Sequence, residues 1–304
     1  MAATPELLAA GLHFPEGPRW RQDRDIGKQG GSGRLWFSDV LAGRVMTCDL
    51  DGNLETVVEV PEMPSGLGWL PDGTLLVVSC ADGKLKALRN GELVEYADLV
   101  GLNGLNWNDM VVDSQGRAYI GSWAPGLDEA KIPGPGNMSP FSHLALVEPA
   151  DDGAGKGRLV ADRMTFPNGP AVSPDGRTLI VAESFGFRLT AFDIEENGDL
   201  SNRRIFADLG VPTDGICLDA EGCVWVAAIY YEYGGSGGYL RVRDGGEVVD
   251  RIDVEGFGPY ACTLGGEEMR TLFMCESAVL GLDRHPGDGR LMVARVEVPG
   301  TGSP

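Results

Sequence analysis

Apolar residues in this chain fall in short runs broken by Gly, Asp, Asn and Pro, and no long stretch holds an apolar stripe at the ~3.6-residue helical period. The runs read as strands and the breaks as turns. They recur in larger units. Six segments share one pattern: PEGPRW from Pro15, PSGLGWLPDGTLLVVS from Pro64, WNDMVVDSQGRAYIGS from Trp107, PNGPAVSPDGRTLIVAES from Pro167, TDGICLDAEGCVWVAA from Thr213 and PYACTLGGEEMRTLFMCES from Pro259. The second residue of each serves as an anchor: Glu16, Ser65, Asn108, Asn168, Asp214 and Tyr260, at intervals of 49, 43, 60, 46 and 46 residues. These bracket the ~40–50-residue period of propeller blades.

The register within the units supports this alignment. Seven positions after the anchor stand Asp72, Gln115, Asp175, Glu221 and Glu267, followed by Gly73, Gly116, Gly176, Gly222 and, as the exception, Glu268. A polar residue and a glycine between two apolar runs is hairpin-turn chemistry. The first unit fits once Asp23 to Gly33 is read as an insertion, a loop at the far end of its first strand. Each unit continues with two more strand-like runs, such as RVMTCDLDG and LETVVEV. The expectation is all-β: a six-bladed β-propeller of four-stranded antiparallel blades, one domain over residues 1–304. LLAAGL at 7–12 and LMVARVEV at 291–298 both read as outer strands that meet in one blade and lock the ring.

In a propeller the first strand of each blade lines the central channel, so the anchors form a ring. Two carboxylates and two amides in a narrow channel need a bridging partner. All these donors are oxygens, which suits Ca²⁺, Mg²⁺ or Mn²⁺ better than Zn²⁺. Glu16 and Asp214 carry the charge that neutralises a divalent ion. The competing reading makes these residues turn caps beside Gly17, Gly169 and Gly215.

Composition narrows the classes. At 43% hydrophobic residues and a mean hydropathy of −0.08, the chain reads as soluble and globular. Met1 to Leu12 carries Glu6 and no basic segment, so it does not read as a leader peptide. No apolar run approaches the ~18–20 residues that span a bilayer. A net charge of −20 argues against nucleic acid and anionic membranes as partners. The six cysteines, at 48, 80, 217, 223, 262 and 275, form no C-x-x-C pair and lie mostly in apolar runs. They read as free buried thiols, which points to a cytoplasmic setting. There is no G-x-S-x-G elbow, H-E-x-x-H or P-loop. Oligomeric state is left open.

Taken together, PEGPRW with LWFSD, WNDMVVDSQGRAYIGS, FPNGPAVSPDGRTLIVAES and PTDGICLDAEGCVWVA resemble the SMP-30/gluconolactonase/LRE-like family, the regucalcin-type lactonases, from about Phe14 to Val298. The resemblance implies a six-bladed propeller with one catalytic divalent metal, held by a Glu, two Asn and an Asp. Those fall on Glu16, Asn108, Asn168 and Asp214, with Asp214 also the general base. The implied reaction is hydrolysis of a small lactone: the metal polarises the carbonyl, and water, activated by the metal or by Asp214, attacks. The sugar-lactone branch carries an arginine two residues before its first metal Asn, where this chain has Asn106; its substrate glutamate has Asp128 or Glu129 as the nearest acids. The related phosphotriesterase propellers use a channel histidine; of His13, His143 and His285, His13 lies nearest the Glu16 strand in sequence. Two alternatives stand beside the lactonase: a phosphotriesterase-like hydrolase at the same metal, and a non-enzymatic propeller with structural calcium.

Loops leaving the second strands surround the metal-side mouth. The stretches 124–142 and 230–237 are unusual there, and Trp123, Phe185, Phe187, Tyr230, Tyr231 and Tyr233 cluster at such exits. The expected substrate contacts are Asn106, Trp123, Phe185, Tyr230, Tyr231 and Tyr233. They predict a preference for apolar or aromatic lactones over gluconolactone.

Overall fold

A computed structural model describes residues 4–22, 33–103, 106–123, 142–151, 153–229, 237–278 and 285–302. Strand β1 (Glu6–Leu12) comes first and belongs to the last blade. Blade one is β2 (Pro15–Arg21), β3 (Arg34–Asp39), β4 (Arg44–Cys48) and β5 (Leu54–Glu59); blade two is β6 (Pro64–Trp69), β7 (Leu75–Ser79), β8 (Lys84–Arg89) and β9 (Glu92–Asp98). Blade three is β10 (Asn106–Val112), β11 (Ala118–Trp123), β12 (Ser142–Pro149) and β13 (Gly155–Met164). Blade four is β14 (Pro167–Val172), β15 (Thr178–Glu183), β16 (Arg188–Ile194) and β17 (Leu200–Asp208). Blade five is β18 (Thr213–Leu218), β19 (Val224–Ile229), β20 (Gly237–Val242) and β21 (Val248–Val254), and blade six is β22 (Gly258–Gly265), β23 (Thr271–Ser277) and β24 (Gly289–Arg295) with β1 at its outer edge. Every blade is antiparallel, and consecutive inner strands touch around the circle from β2 to β22 and back. The molecule is a six-bladed β-propeller. Among the described residues no helix is long and apolar enough to cross a membrane.

The two terminal runs meet in blade six, and the pairing assigns their order. Residues 291–295 lie in the third strand of blade six, and β1 supplies the fourth, pairing Glu6 with Val293 and Leu12 with Gly289. Residues 291–293 of the LMVARVEV run are thus paired on both edges, by β23 and β1.

The core consists of six seams, one between each pair of neighbouring blades. Alternate residues of one strand serve opposite seams. In β11, Ala118 and Ile120 face blade two while Tyr119 faces blade four. Both faces of each inner strand are therefore buried, and the apolar runs are continuous rather than alternating. The predicted hairpin turns are present, with Gly73, Gly116, Gly176 and Gly222 all at positive φ. Most of the Asp23–Gly33 insertion and of the 124–142 stretch lies outside the described residues. All six cysteines are free thiols, and five are buried.

Candidate functional site

Each anchor is the second or third residue of an inner strand. At that register all six inner strands carry a β-bulge: the pairing slips between Glu16 and Arg19, Pro64 and Leu67, Trp107 and Met110, Asn168 and Pro170, Thr213 and Ile216, and Pro259 and Ala261. A bulge inserts an unpaired residue and re-aims its side chain. Glycine after the anchor has a separate cause. A Cβ on Gly169 would stand 2.6 Å from Gly215 Cα and 2.7 Å from the Asp214 carbonyl oxygen, and one on Gly66 would stand 2.3 Å from Met110 N. At Gly17, Gly66, Gly169 and Gly215 the neighbouring inner strand comes too close for a Cβ, and only glycine fits. Gly17, Gly169 and Gly215 thus serve strand packing, not turns.

Contacts join the anchors of blades two, three and four. Ser65 Oγ donates to Asn108 Oδ1 at 2.9 Å, and Asn108 Nδ2 donates to Asn168 Oδ1 at 2.9 Å. Asn168 Oδ1 also accepts from Gly169 N at 3.0 Å, and its Nδ2 donates to Ser184 Oγ at 3.3 Å. Glu16 and Asp214 flank this chain at the same register of blades one and five. Ser65, Asn168 and Asp214 are buried; Glu16 and Asn108 are half-buried. Tyr260, the sixth anchor, donates its hydroxyl to Ala278 O at 2.8 Å and packs edge-on against Phe14.

A second set of carboxylates holds the segments that enter the inner strands. Asp39 Oδ1 accepts from His13 N and Phe14 N at 2.9 and 2.8 Å, while Arg44 pairs with its other oxygen. Glu183 Oε2 accepts from Thr165 N and Oγ1, both at 2.9 Å, and Oε1 from Arg188, Thr190 and Arg203. Glu276 pairs with Arg290. Burial alone would raise Glu183; the hydrogen bonds from Thr190 and Thr165 and the two guanidiniums outweigh it and hold its carboxyl below the ordinary range. At Glu276 burial wins over one arginine, and the carboxyl is raised. The sequence signal for these braces is an acid at the end of the second strand followed five residues later by arginine, as in Asp39/Arg44 and Glu183/Arg188.

The predicted aromatic mouth is partly described. Trp123 pairs in register with Asn106. Phe166 lies between Trp123 and Phe185, with ring centroids 6.3 and 5.4 Å away, so the three form one wall beside Asn168. Phe166 has φ 59°, a left-handed backbone rare for an aromatic residue, and its carbonyl accepts from Ser184 N at 3.0 Å. Phe187 departs from expectation: it is buried, and its carbonyl caps Leu209 N and Gly210 N. Tyr230, Tyr231, Tyr233, Asp128 and Glu129 lie outside the described residues.

The donor set fits a hard divalent cation. Among the described residues no three His, Cys, Asp or Glu side chains converge at metal-binding spacing. The ring instead offers two carboxylates, two amides and a hydroxyl, all oxygen donors. The nearby thiols do not compete: burial pushes Cys80, which hydrogen-bonds with Ser65, up to about 12, and burial with the Glu16 charge keeps Cys275 protonated.

Comparison with known proteins agrees with this architecture. The family model for the SMP-30/gluconolactonase/LRE-like region matches residues 14–278. A curated relative, the 6-deoxy-6-sulfogluconolactonase of Pseudomonas putida, is 27% identical over 282 residues, covering 89% of each chain. A solved calcium-binding protein, regucalcin from Agrobacterium tumefaciens, superposes with TM-score 0.78 at 23% identity, covering 100% of this chain and 97% of that one. A gluconolactonase from Xanthomonas campestris superposes at 0.74 and 21%, covering 98% and 90%. At these identities the two structural likenesses establish the fold.

Proposed function

The chain belongs to the SMP-30/gluconolactonase/LRE-like family, and from that premise we propose that it is a divalent-metal-dependent hydrolase that opens a small lactone ring. The observation that carries this reading is the donor ring: Glu16, Asn108, Asn168 and Asp214 stand at one bulged register of four inner strands. These four would hold one divalent cation, Ca²⁺ foremost, then Mg²⁺ or Mn²⁺, with Zn²⁺ less suited to an all-oxygen set. Such an ion supplies Lewis-acid stabilisation of charge on the carbonyl oxygen. Asp214 takes the proton from the attacking water or orients it. The chain from Ser65 to Ser184 holds the amides of Asn108 and Asn168 and uses one N–H of each Nδ2; the second N–H of each is the donor for the substrate. The lactonase activity for which the Pseudomonas relative is named supports lactone opening as the reaction.

For substrate choice, the wall of Trp123, Phe166 and Phe185 takes the flat apolar face of the lactone. Asn106, opposite Trp123, is uncharged. Tyr230, Tyr231 and Tyr233 join this reading by sequence position alone. The protein therefore favours apolar or aryl-fused lactones over gluconolactone. A panel of such lactones, assayed with added Ca²⁺, Mg²⁺, Mn²⁺ and Zn²⁺, tests both halves. Metal-dependent hydrolysis with the highest kcat/KM on apolar lactones is expected. Gluconolactone as best substrate would overturn the specificity, and no hydrolysis of any lactone would overturn the activity.

A further inference from the structure

The repeat is broken by charge in two places. The residue after the anchor is Gly17, Gly66, Gly169, Gly215 or Ala261 in five blades, but Asp109 in blade three. Three positions past the anchor stand Gly68, Val111, Ala171, Cys217 and Thr263, but Arg19 in blade one. These two exceptions meet. Arg19 Nη2 lies 3.4 Å from Asp109 Oδ1, with the side chains 7% and 5% exposed. Arg19 also donates to Met110 O and, at 2.8 Å, to Pro18 O, while Asp109 Oδ1 accepts from Met110 N at 2.8 Å.

The pair spans from blade one to blade three past blade two, whose glycines leave the room. A Cβ on Gly66 would stand 2.9 Å from Asp109 Oδ1. Below the pair, a cavity of about 640 Å³ opens at the ends of the inner strands remote from the anchors, lined by Trp20, Trp69, Val112 and Leu264 among others. Of its lining residues Arg19 and Thr263 reach furthest toward the ring, three positions past their anchors. The ion pair thus stands between ring and cavity. Stability does not explain it, because apolar side chains of similar size usually serve a buried seam as well or better.

We propose that the Arg19–Asp109 pair is a positioning strut that sets the separation of Glu16 and Asn108 across blade two. The inference rests on the reading of the ring as a cation site. Glu16 lies on the same strand as Arg19 before the bulge, and Asn108 is bonded to Asp109, so a fixed distance between the charged partners fixes the two donors. Asp109 is neutralised by Arg19, so removing both leaves the net charge beneath the ring unchanged.

That neutrality defines the experiment. Ca²⁺ binding is measured by calorimetry on chelator-stripped protein, with melting temperature recorded alongside. Wild type is expected to bind one ion. The Arg19→Met/Asp109→Leu double variant is expected to keep its melting temperature within about 3 °C and to lose about tenfold or more in affinity, the usual effect of losing a group that orients metal ligands. A folded double variant binding within about twofold of wild type would overturn the strut while leaving the cation site standing. No binding by wild type would overturn both. If the double variant does not fold, Arg19→Lys decides: it keeps the charge but not the planar fork whose Nη1 reaches Pro18 O while its Nη2 reaches Asp109 and Met110 O. About threefold or greater weakening at an unchanged melting temperature supports the strut; unchanged affinity overturns it.

Discussion

At the scale of single residues, the proposed reaction puts the proton chemistry on Asp214, while Asp39 and Glu183 brace the segments that enter the inner strands. Asp214→Asn keeps the size of the side chain and removes its basicity. It is expected to lower kcat by about a hundredfold or more with the fold intact by circular dichroism; a loss below about threefold would move the base elsewhere. Glu183 makes a pH prediction. Its carboxyl is depressed below the 4.5 of an ordinary glutamate, so the unfolded chain binds the proton more readily. Its stabilisation is present above that ordinary value and fades as pH falls through the folded one. Glu276, raised by burial, has the opposite sign: its contribution is lost as pH rises from its ordinary value through the raised one. Urea midpoints measured down from pH 5 should therefore fall less steeply for Glu183→Gln than for wild type. Parallel curves would show that Glu183 is not held as described. These braces were harder to read in the sequence than the anchors. Asp39 and Glu183 look like ordinary strand-end acids until the fold brings His13, Phe14 and Thr165 N–H groups to them.

At the scale of strands, the anchors were legible because a repeat makes register visible: four carboxylate or amide side chains at equivalent positions of different blades are hard to explain by local turn chemistry. The bulges were not legible, since nothing in PEG or PNG distinguishes a turn from a bulged strand, and only the slipped pairing of β14 with β15 shows which it is. Phe166 was missed for a related reason. Its neighbour Phe185 stands at a predictable strand exit, but Phe166 joins the wall through a left-handed backbone just ahead of β14. Gly169→Ala tests the packing argument. Its Cβ would press on Gly215 Cα and the Asp214 carbonyl, so the variant is expected to lose about 1–3 kcal/mol of stability, as overpacked sites do, and to weaken Ca²⁺ binding by moving Asp214. Unchanged values of both, from urea unfolding and calorimetry, would show that the strands can part without disturbing the ring.

For the whole molecule, ring closure depends on β1, which lies outside the matched family region that begins at residue 14. Deleting residues 1–12 would leave the Gly289–Arg295 edge unpaired and expose Leu291, now fully buried. Such a truncation is expected to lower Tm by roughly 10 °C or more; a Tm within about 2 °C of wild type would mean that β1 does not lock the ring. That two termini meet in one blade was legible from their strand-like pattern. Which one takes the edge was not, because both runs are apolar and only the pairing partner differs. The closed ring matters because it brings donors from four blades, nearly 200 residues apart from Glu16 to Asp214, around one axis. The most direct test of the account is the rate of lactone hydrolysis by chelator-stripped protein as Ca²⁺ is added back. Almost no hydrolysis is expected without the ion, saturable recovery with it, and no recovery in Asp214→Asn. A full rate in excess chelator would contradict it.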